Sequence, residues 1–281
     1  TCPPMSTYRD LLTAARAELA GAAFAPSLRE AALLLGEVTG LSEGQLLARD
    51  DQRATAAEER RFRELLTRRL AGEPVAYLFG RREFYGRSFA VDSRVLIPRP
   101  ETEHVIEAVL ASPLPENPRL LDVGTGSGCL AVTLACELPA AHVVATDLSL
   151  GALEVARGNA RALGVGESVR FVRTDLFAGL DPQAFDLVVS NPPYVDRREE
   201  AEMSREVCDF EPPMALFPPD GRGESTLERL LAAGSNLRSG VRVVLEIGRG
   251  QIQFVERAAN AAGFDLVEVR IDVRVIEFHR G

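Results

Sequence analysis

The stretch that most limits the fold is LLDVGTGSGCLAV, residues 120–132. An apolar run ends at Asp122-Val123. Glycines follow at alternate positions, Gly124, Gly126 and Gly128, and an apolar helical segment comes next. Glycine lets the backbone turn tightly and approach a ligand with no side chain in the way. A strand, a glycine turn and a helix in that order are the opening of a βα unit. The alternation then continues. HVVATD (142–147) reads as a strand and LSLGALEVARGNARALG (148–164) as a helix. SVRFVRTD (168–175), FDLVVSNPPY (185–194) and VRVVLEIG (241–248) read as strands, the second ending in a loop. QIQFVERAANAAG (251–263) reads as a helix, and LVEVRI with VRVIEFH closes the chain as a strand pair. This pattern predicts a largely parallel sheet with helices on both faces, and a ligand at the carboxyl ends of its strands.

The residues before this region have another rhythm. Tyr8, Leu11, Leu12, Ala15 and Leu19 recur at helical spacing behind Ser6 as an N-cap. Ser27 with Glu30 and Thr55 with Glu58 make two capping boxes, and Ser42 opens a short segment between them. The expectation is a small helical bundle that ends near Gly72 and Pro74. VAYLFG and REFYGRSFAV, rich in aromatic and β-branched residues, predict a β-hairpin around Tyr85-Gly86-Arg87 within residues 75–97. The chain has 281 residues, which fits two domains with one dominant.

Charge narrows the chemistry. The net charge is −9, and none of the 32 basic residues is lysine. Schiff-base and P-loop lysine chemistries are therefore excluded. An acidic chain is a poor general ligand for nucleic acid, which needs clustered positive charge. RRFRELLTRRL (60–70) and Arg81-Arg82 are the local exceptions, read here as solvated faces. No apolar run approaches the ~18 residues of a membrane helix. The opening residues TCPPMSTYRD carry neither a basic n-region nor an apolar h-region, so no secretory leader is expected. Thr1 to Pro4 precede Met5 and carry no structural expectation. Cys2, Cys129, Cys136 and Cys208 form no CxxC pair, and His104, His142 and His279 are scattered. No metal site and no disulfide framework follow, and a reducing cytoplasm is the expected home.

Two motifs carry the chemistry. Asp147 ends the strand after the glycine loop, 23 residues beyond Gly124. An acidic residue there can accept hydrogen bonds from ribose hydroxyls. The arrangement serves NAD, FAD or S-adenosylmethionine. The GxGxG spacing and an acid two residues before the first glycine favour the last. The second motif is Asn191-Pro192-Pro193-Tyr194. Its two prolines stiffen the loop and remove two amide donors. Asn191 offers one acceptor and two donors, and Tyr194 a flat ring. This is a cradle for a planar NH2 group, such as adenine N6, guanine N2 or a glutamine amide.

With these residues in place the chain resembles the HemK/PrmC family of methyltransferases. The resemblance covers almost the whole chain. It rests on Ile97-Pro98-Arg99-Pro100-Glu101-Thr102-Glu103, on LLDVGTGSGCLAV, on TDLSLGALEVARGNA (146–160) and on the NPPY loop. EVCDFEPPMALFPPDG (206–221) and LEIGRGQ (245–251) extend it. Three features depart from the family pattern: a shortened turn within RIDVRVIEF (270–278), FPPDGRG after Ala-Leu-Phe, and Leu176 where some members carry an aromatic.

The resemblance implies an α/β protein, with a seven-stranded Rossmann-like class I methyltransferase domain at 98–281. A β-hairpin linker at 74–97 and an N-terminal helical bundle for substrate recognition at 1–73 would precede it. It implies methyl transfer from S-adenosylmethionine to the side-chain nitrogen of the glutamine in the Gly-Gly-Gln loop of class I peptide chain release factors. Gly124, Thr125, Gly126, Ser127 and Gly128 would hold the methionine part of the cofactor, and Asp147 the ribose. Asp175 and Leu176 would border the adenine, with Phe177 packing on it, and Asn191 would also touch the cofactor. Asn191 and the Pro192 carbonyl would accept the hydrogens of the substrate amide. Pro193 would stiffen the loop and Tyr194 would pack on the amide plane. Arg99, Glu101 and Thr102 are read equally as a lid over the site or as a Pro-capped helix start. The competing readings are an adenine-N6 or guanine-N2 methyltransferase of nucleic acid, glutamine methylation of a ribosomal protein, a nucleotide-binding module without catalysis, and an NAD-dependent oxidoreductase. Neither membrane association nor stable nucleic-acid binding is expected.

Overall fold

The computed structural model describes residues 6–22, 24, 26–27, 29–270 and 274–280, with the backbone alone at 267–270. The expectations for Thr1 to Pro4 and for the turn at 271–273 lie outside the described residues. The chain divides into two compact units. One is Thr1–Phe79 with Ser204–Phe210, and the other is Gly80–Met203 with Glu211–Gly281.

The first unit begins with α1 (Tyr8–Ala20), α2 (Glu30–Thr39), α3 (Glu43–Ala48), α4 (Ala56–Leu70) and α5 (Val75–Phe79). The N-cap of α1 is Thr7 rather than Ser6, because Thr7 finds Asp10 three residues on and closes a reciprocal capping box. Thr55 with Glu58 and Ser42 with Gln45 close two more. At Ser27 only half of the expected box forms: the Ser27 amide donates to Glu30, its hydroxyl accepts from the Arg29 amide, and the helix starts at Glu30 with Arg29 at its cap. The apolar stripes of α1, α2 and α4 interlock around Tyr8, Leu11, Leu34, Leu35, Phe62 and Leu65. The hairpin forms around Tyr85-Gly86 as expected, while residues 75–79, expected within the hairpin segment, are helical. Pro74 precedes them, where a fixed φ and a missing amide suit a helix start. One arginine of the basic run is not on a solvated face. Arg69 is 1% exposed. Its guanidinium donates to Glu30 at 2.6 Å, pairs with Glu206 at 2.7 Å and lies 3.9 Å over the Phe24 ring.

The second unit opens with a hairpin, β1 (Arg81–Phe84) and β2 (Arg87–Ala90). Its two turn residues, Tyr85 and Gly86, both have positive φ, as tight two-residue hairpins require. The hairpin is fastened within this unit. Asn159 exchanges two hydrogen bonds with Ala90, and Glu103 accepts from the Tyr85 amide. Then follow α6 (Glu103–Leu110), β3 (Arg119–Val123), α7 (Cys129–Glu137), β4 (His142–Asp147), α8 (Leu150–Ala162), β5 (Val169–Arg173) and β6 (Leu187–Ser190). The short α9 (Arg205–Phe210) belongs to the first unit. The chain closes with α10 (Pro213–Leu216), α11 (Ser225–Gly234), β7 (Arg242–Glu246), α12 (Ile252–Ala261), β8 (Phe264–Arg270) and β9 (Val275–Arg280).

Seven strands form one sheet in the order β5-β4-β3-β6-β7-β9-β8. Neighbours from β5 to β7 are parallel, and β9 runs antiparallel to both β7 and β8. Successive side chains of a strand face opposite ways. Leu120, Val143 and Val189 therefore enter the layer under α6 and α7, while Leu121, Val188 and Leu245 enter the layer under α11 and α12. With both faces covered, β6 and β7 are buried at every position. The strand order reverses at β3, between β4 and β6. In sheets of this kind that crevice is where ligands bind.

Candidate active site

The crevice holds a cavity of ≈ 470 Å³, within the usual range for small-molecule sites. Every βα loop expected to act contributes to its wall: Gly124 to Ser127, Asp147, Asp175 with Leu176, and Asn191 to Pro193. Gly124, Gly126 and Gly128 all take left-handed φ, at 74°, 55° and 83°. Their work divides. A side chain at Gly124 or Gly126 would point into open space, so those two expose backbone to the cavity. Gly128 is not in the wall. A Cβ there would lie 3.0 Å from the Ala156 Cβ, so this glycine lets α7 pack against α8.

Asp122 is 1% exposed. Its Oδ2 accepts from Thr125 Oγ1 at 2.6 Å and from the Ala131 amide at 3.2 Å. Its Oδ1 is buried with no hydrogen-bond partner among the described residues. Burial pushes this carboxyl up to about 7, against the pull of the two hydrogen bonds. A buried, half-satisfied carboxylate in a cavity wall fits an ammonium such as that of an amino-acid ligand. Asp147 closes β4. Its oxygens accept from the Gly126 and Ser149 amides at 3.0 and 2.8 Å, which leaves lone pairs for ribose hydroxyls. Asp175 pairs with Arg229 at 2.5 Å on the exposed rim. Leu176 takes φ of 52°, uncommon for a side chain of its kind, and presents itself to the cavity. Phe177, expected beside the adenine, turns into the core with Phe185 and Leu227, because an apolar ring gains more there than at a wet rim. The thiol of Cys129 lines the cavity, and burial pushes it up to about 12.

The NPPY loop follows β6. Asn191, Pro192 and Pro193 line the cavity, and Tyr194 does not. Its ring packs on the apolar layer, its hydroxyl donates to Glu246 at 3.0 Å, and its carbonyl accepts from Gln251. Gly248 lets the ring in, since a Cβ there would stand 3.1 Å from Tyr194 Cδ2. Asn191 Nδ2 donates to Thr102 Oγ1 at 3.0 Å, and Thr102 in turn donates to Glu246 at 2.6 Å. Thr102 ends the 3-10 turn at Pro100–Thr102 and is 1% exposed. Of the other linker residues, Arg99 pairs with the buried Glu211, which also accepts from the Ile97 amide. Glu101 lies 3.7 Å from Arg274. Asp122, which as the acid before the first glycine favours S-adenosylmethionine, and Thr102, read equally as a lid residue or a helix start, are not among the expected site residues, and neither is Glu246. A lone acid in the apolar strand VRVVLEIG was the available signal for Glu246.

A seven-stranded sheet with one antiparallel strand, a glycine turn at its switch point and an acid ending the next strand define a class I S-adenosylmethionine-dependent methyltransferase. Residues 106–208 match the Methyltransferase small domain family, and residues 10–80 match the PrmC N-terminal domain. The chain belongs to the release factor glutamine methyltransferase family. The enzyme of that name from Chlorobaculum tepidum is 47% identical over 77% of each chain. That from Cereibacter sphaeroides is 42% identical over 94% of each. Among solved structures, a methyltransferase from Pyrococcus furiosus shares the fold, with a TM-score of 0.53 at 19% identity over 76% of this chain and 97% of that one. Among the described residues no helix is long and apolar enough to cross a membrane, and no group of three His, Cys, Asp or Glu residues could hold a metal ion.

Proposed function

We infer that this protein uses S-adenosylmethionine to methylate the side-chain nitrogen of the glutamine in the Gly-Gly-Gln loop of class I release factors. The product supports translation termination in the cytoplasm. Membership of the family supports the reaction. The observation that carries the site is the placement of Asn191 and Pro192 in the same cavity wall as the glycine loop and Asp122.

Bound S-adenosylmethionine supplies an electrophilic methyl on a sulfonium. The protein does the rest. Asp122 Oδ1 would hold the ammonium of the cofactor's methionine part, Gly124 to Ser127 would give their backbone to it, and Asp147 would hold the ribose. Asp175 and Leu176 bound the adenine. The substrate amide nitrogen is a poor nucleophile, since its lone pair is delocalised into its carbonyl. Asn191 Oδ1 and the Pro192 carbonyl accept its two hydrogens, raise its electron density and aim its lone pair. Holding reactants in line can supply about 7–11 kcal/mol of a barrier. As the amide nitrogen gains the methyl, the S–CH3 bond would break and leave a neutral thioether, and one N–H proton, now acidic, would leave through these acceptors to water. Tyr194 stiffens the loop from behind through Glu246.

The test is transfer of labelled methyl to a purified class I release factor, followed by peptide mapping. A factor with the glutamine replaced is the control. Label on that glutamine and none on the control is the expected result. Label on RNA, DNA or a ribosomal protein instead would overturn the substrate.

A further inference from the structure

The carboxyl side of β7 carries a buried chain of hydrogen bonds with a direction. Glu246 is 0% exposed, and it receives two hydroxyls: Thr102 on Oε2 at 2.6 Å and Tyr194 on Oε1 at 3.0 Å. Against burial, both hydroxyls donate to it and, with the Arg274 charge, favour its ionised form. An ionised carboxylate only accepts. A threonine hydroxyl has one proton, and here it is committed to Glu246. The side of Thr102 that meets Asn191 is therefore a lone pair, and Asn191 Nδ2 donates into it at 3.0 Å.

The two ends of an asparagine amide are nearly the same size. Shape does not choose between them; the partners do. A reversed Asn191 would set its oxygen against the Thr102 oxygen. Turning the threonine proton round to repair that would strip a buried carboxylate of a donor, a costly loss. Thr102 is not in the cavity wall and Asn191 is. With the nitrogen committed inward, Oδ1 is the polar atom of Asn191 left for the cavity.

We propose that Glu246 and Thr102 are positioning residues whose one-way relay fixes the Asn191 amide, nitrogen inward and oxygen towards the substrate nitrogen. The proposal rests on the reading of Asn191 as the acceptor of the substrate amide. It assigns a task to a linker threonine and a late-strand acid that lie 144 residues apart.

The experiment compares Thr102→Val, Thr102→Ser and Glu246→Gln with the wild type. Valine keeps the buried volume and removes the relay, so a packing role alone would leave its rate untouched. Thr102→Val is expected to lower kcat for release factor methylation by roughly 10–100-fold, with the Kd for S-adenosylmethionine within about twofold. Thr102→Ser restores the rate. Glu246→Gln offers one acceptor where two are needed and falls in between. Combined with Thr102→Val it adds little, because the two changes break one chain. The second readout needs no substrate. The chain has five asparagines, and asparagine-selective 15N labelling with Asn191→Asp as the assignment control isolates the Asn191 side-chain amide. In the wild type its inward proton is slow to exchange, and Thr102→Val abolishes that protection. A Thr102→Val enzyme with wild-type kcat, or an Asn191 amide signal that does not respond to it, overturns the relay. If the amide responds but the wild type leaves the release factor unlabelled, the relay stands and the substrate reading falls.

Discussion

Two buried acids mark the two ends of this site, and they are built in opposite ways. Asp122 in β3 has one oxygen satisfied by its own loop and one left bare at the cavity wall. Glu246 at the end of β7 has both oxygens satisfied by hydroxyls of the protein. Burial pushes both carboxyls up. The first is incomplete and gains from an arriving cation. The second is complete and spends its charge on holding neighbours still. An unsatisfied buried acid points to a ligand, and a satisfied one points to an arrangement worth keeping.

The largest expected effect lies on the complete side. Asn191→Ala removes the acceptor that Glu246 holds in place, and kcat should fall by roughly 10²–10³-fold, as for loss of one transition-state hydrogen bond. Calorimetry should find the cofactor affinity little changed. A matching loss of cofactor affinity would break the contrast between the two ends. Next comes the incomplete side. Asp122→Asn should weaken S-adenosylmethionine binding by roughly 10–100-fold, the worth of a charged hydrogen bond. Saturating cofactor should then recover most of kcat.

The pH dependence sharpens the same point. Asp122 holds its proton up to about pH 7, and a bound ammonium would favour its release. Cofactor affinity should therefore rise by up to about tenfold per pH unit below 7 and flatten above it. The slope should vanish in Asp122→Asn. Stability follows with its own sign. A carboxyl raised on folding contributes stability below the ordinary carboxylate range and loses it as pH rises through about 7. The ligand-free Asp122→Asn protein should thus gain in Tm relative to the wild type above pH 7. The smallest effect belongs to an acid that is neither buried nor alone. Asp175 meets Arg229 with both side chains nearly half exposed, and Arg229→Ala should change cofactor affinity by no more than about threefold.

The contrast also explains what could be read without coordinates. The glycine loop, Asp147 and the NPPY loop are local: a few adjacent residues carry both the backbone requirement and the chemistry. The relay is not local. Thr102 and Glu246 meet only because β7 lies beside β6 and the 3-10 turn ends there, and no spacing along the chain encodes that. Tyr194 was expected against the substrate, but a buried phenol needs a partner, and Glu246 offers one on the other side. Residues 75–79 misled for a different reason. A five-residue apolar run fits a strand or a helix equally, and Pro74 was the tiebreaker. Arg69 sits with four other arginines in a basic run, and only its distant partners, Glu30 in α2 and Glu206 in α9, show why it is buried.

That return has a consequence for anyone cutting the gene. The first unit is assembled from two separate stretches, because Ser204–Phe210 packs with residues before Phe79. A fragment ending at Phe79 would encode a bundle short of one of its own helices. Arg69 would keep Glu30 and lose Glu206, and Gly72 would lose the Phe210 ring beside it. Transplanting the bundle onto another catalytic domain therefore takes two splices, the second of them seven residues long and placed downstream of the NPPY loop.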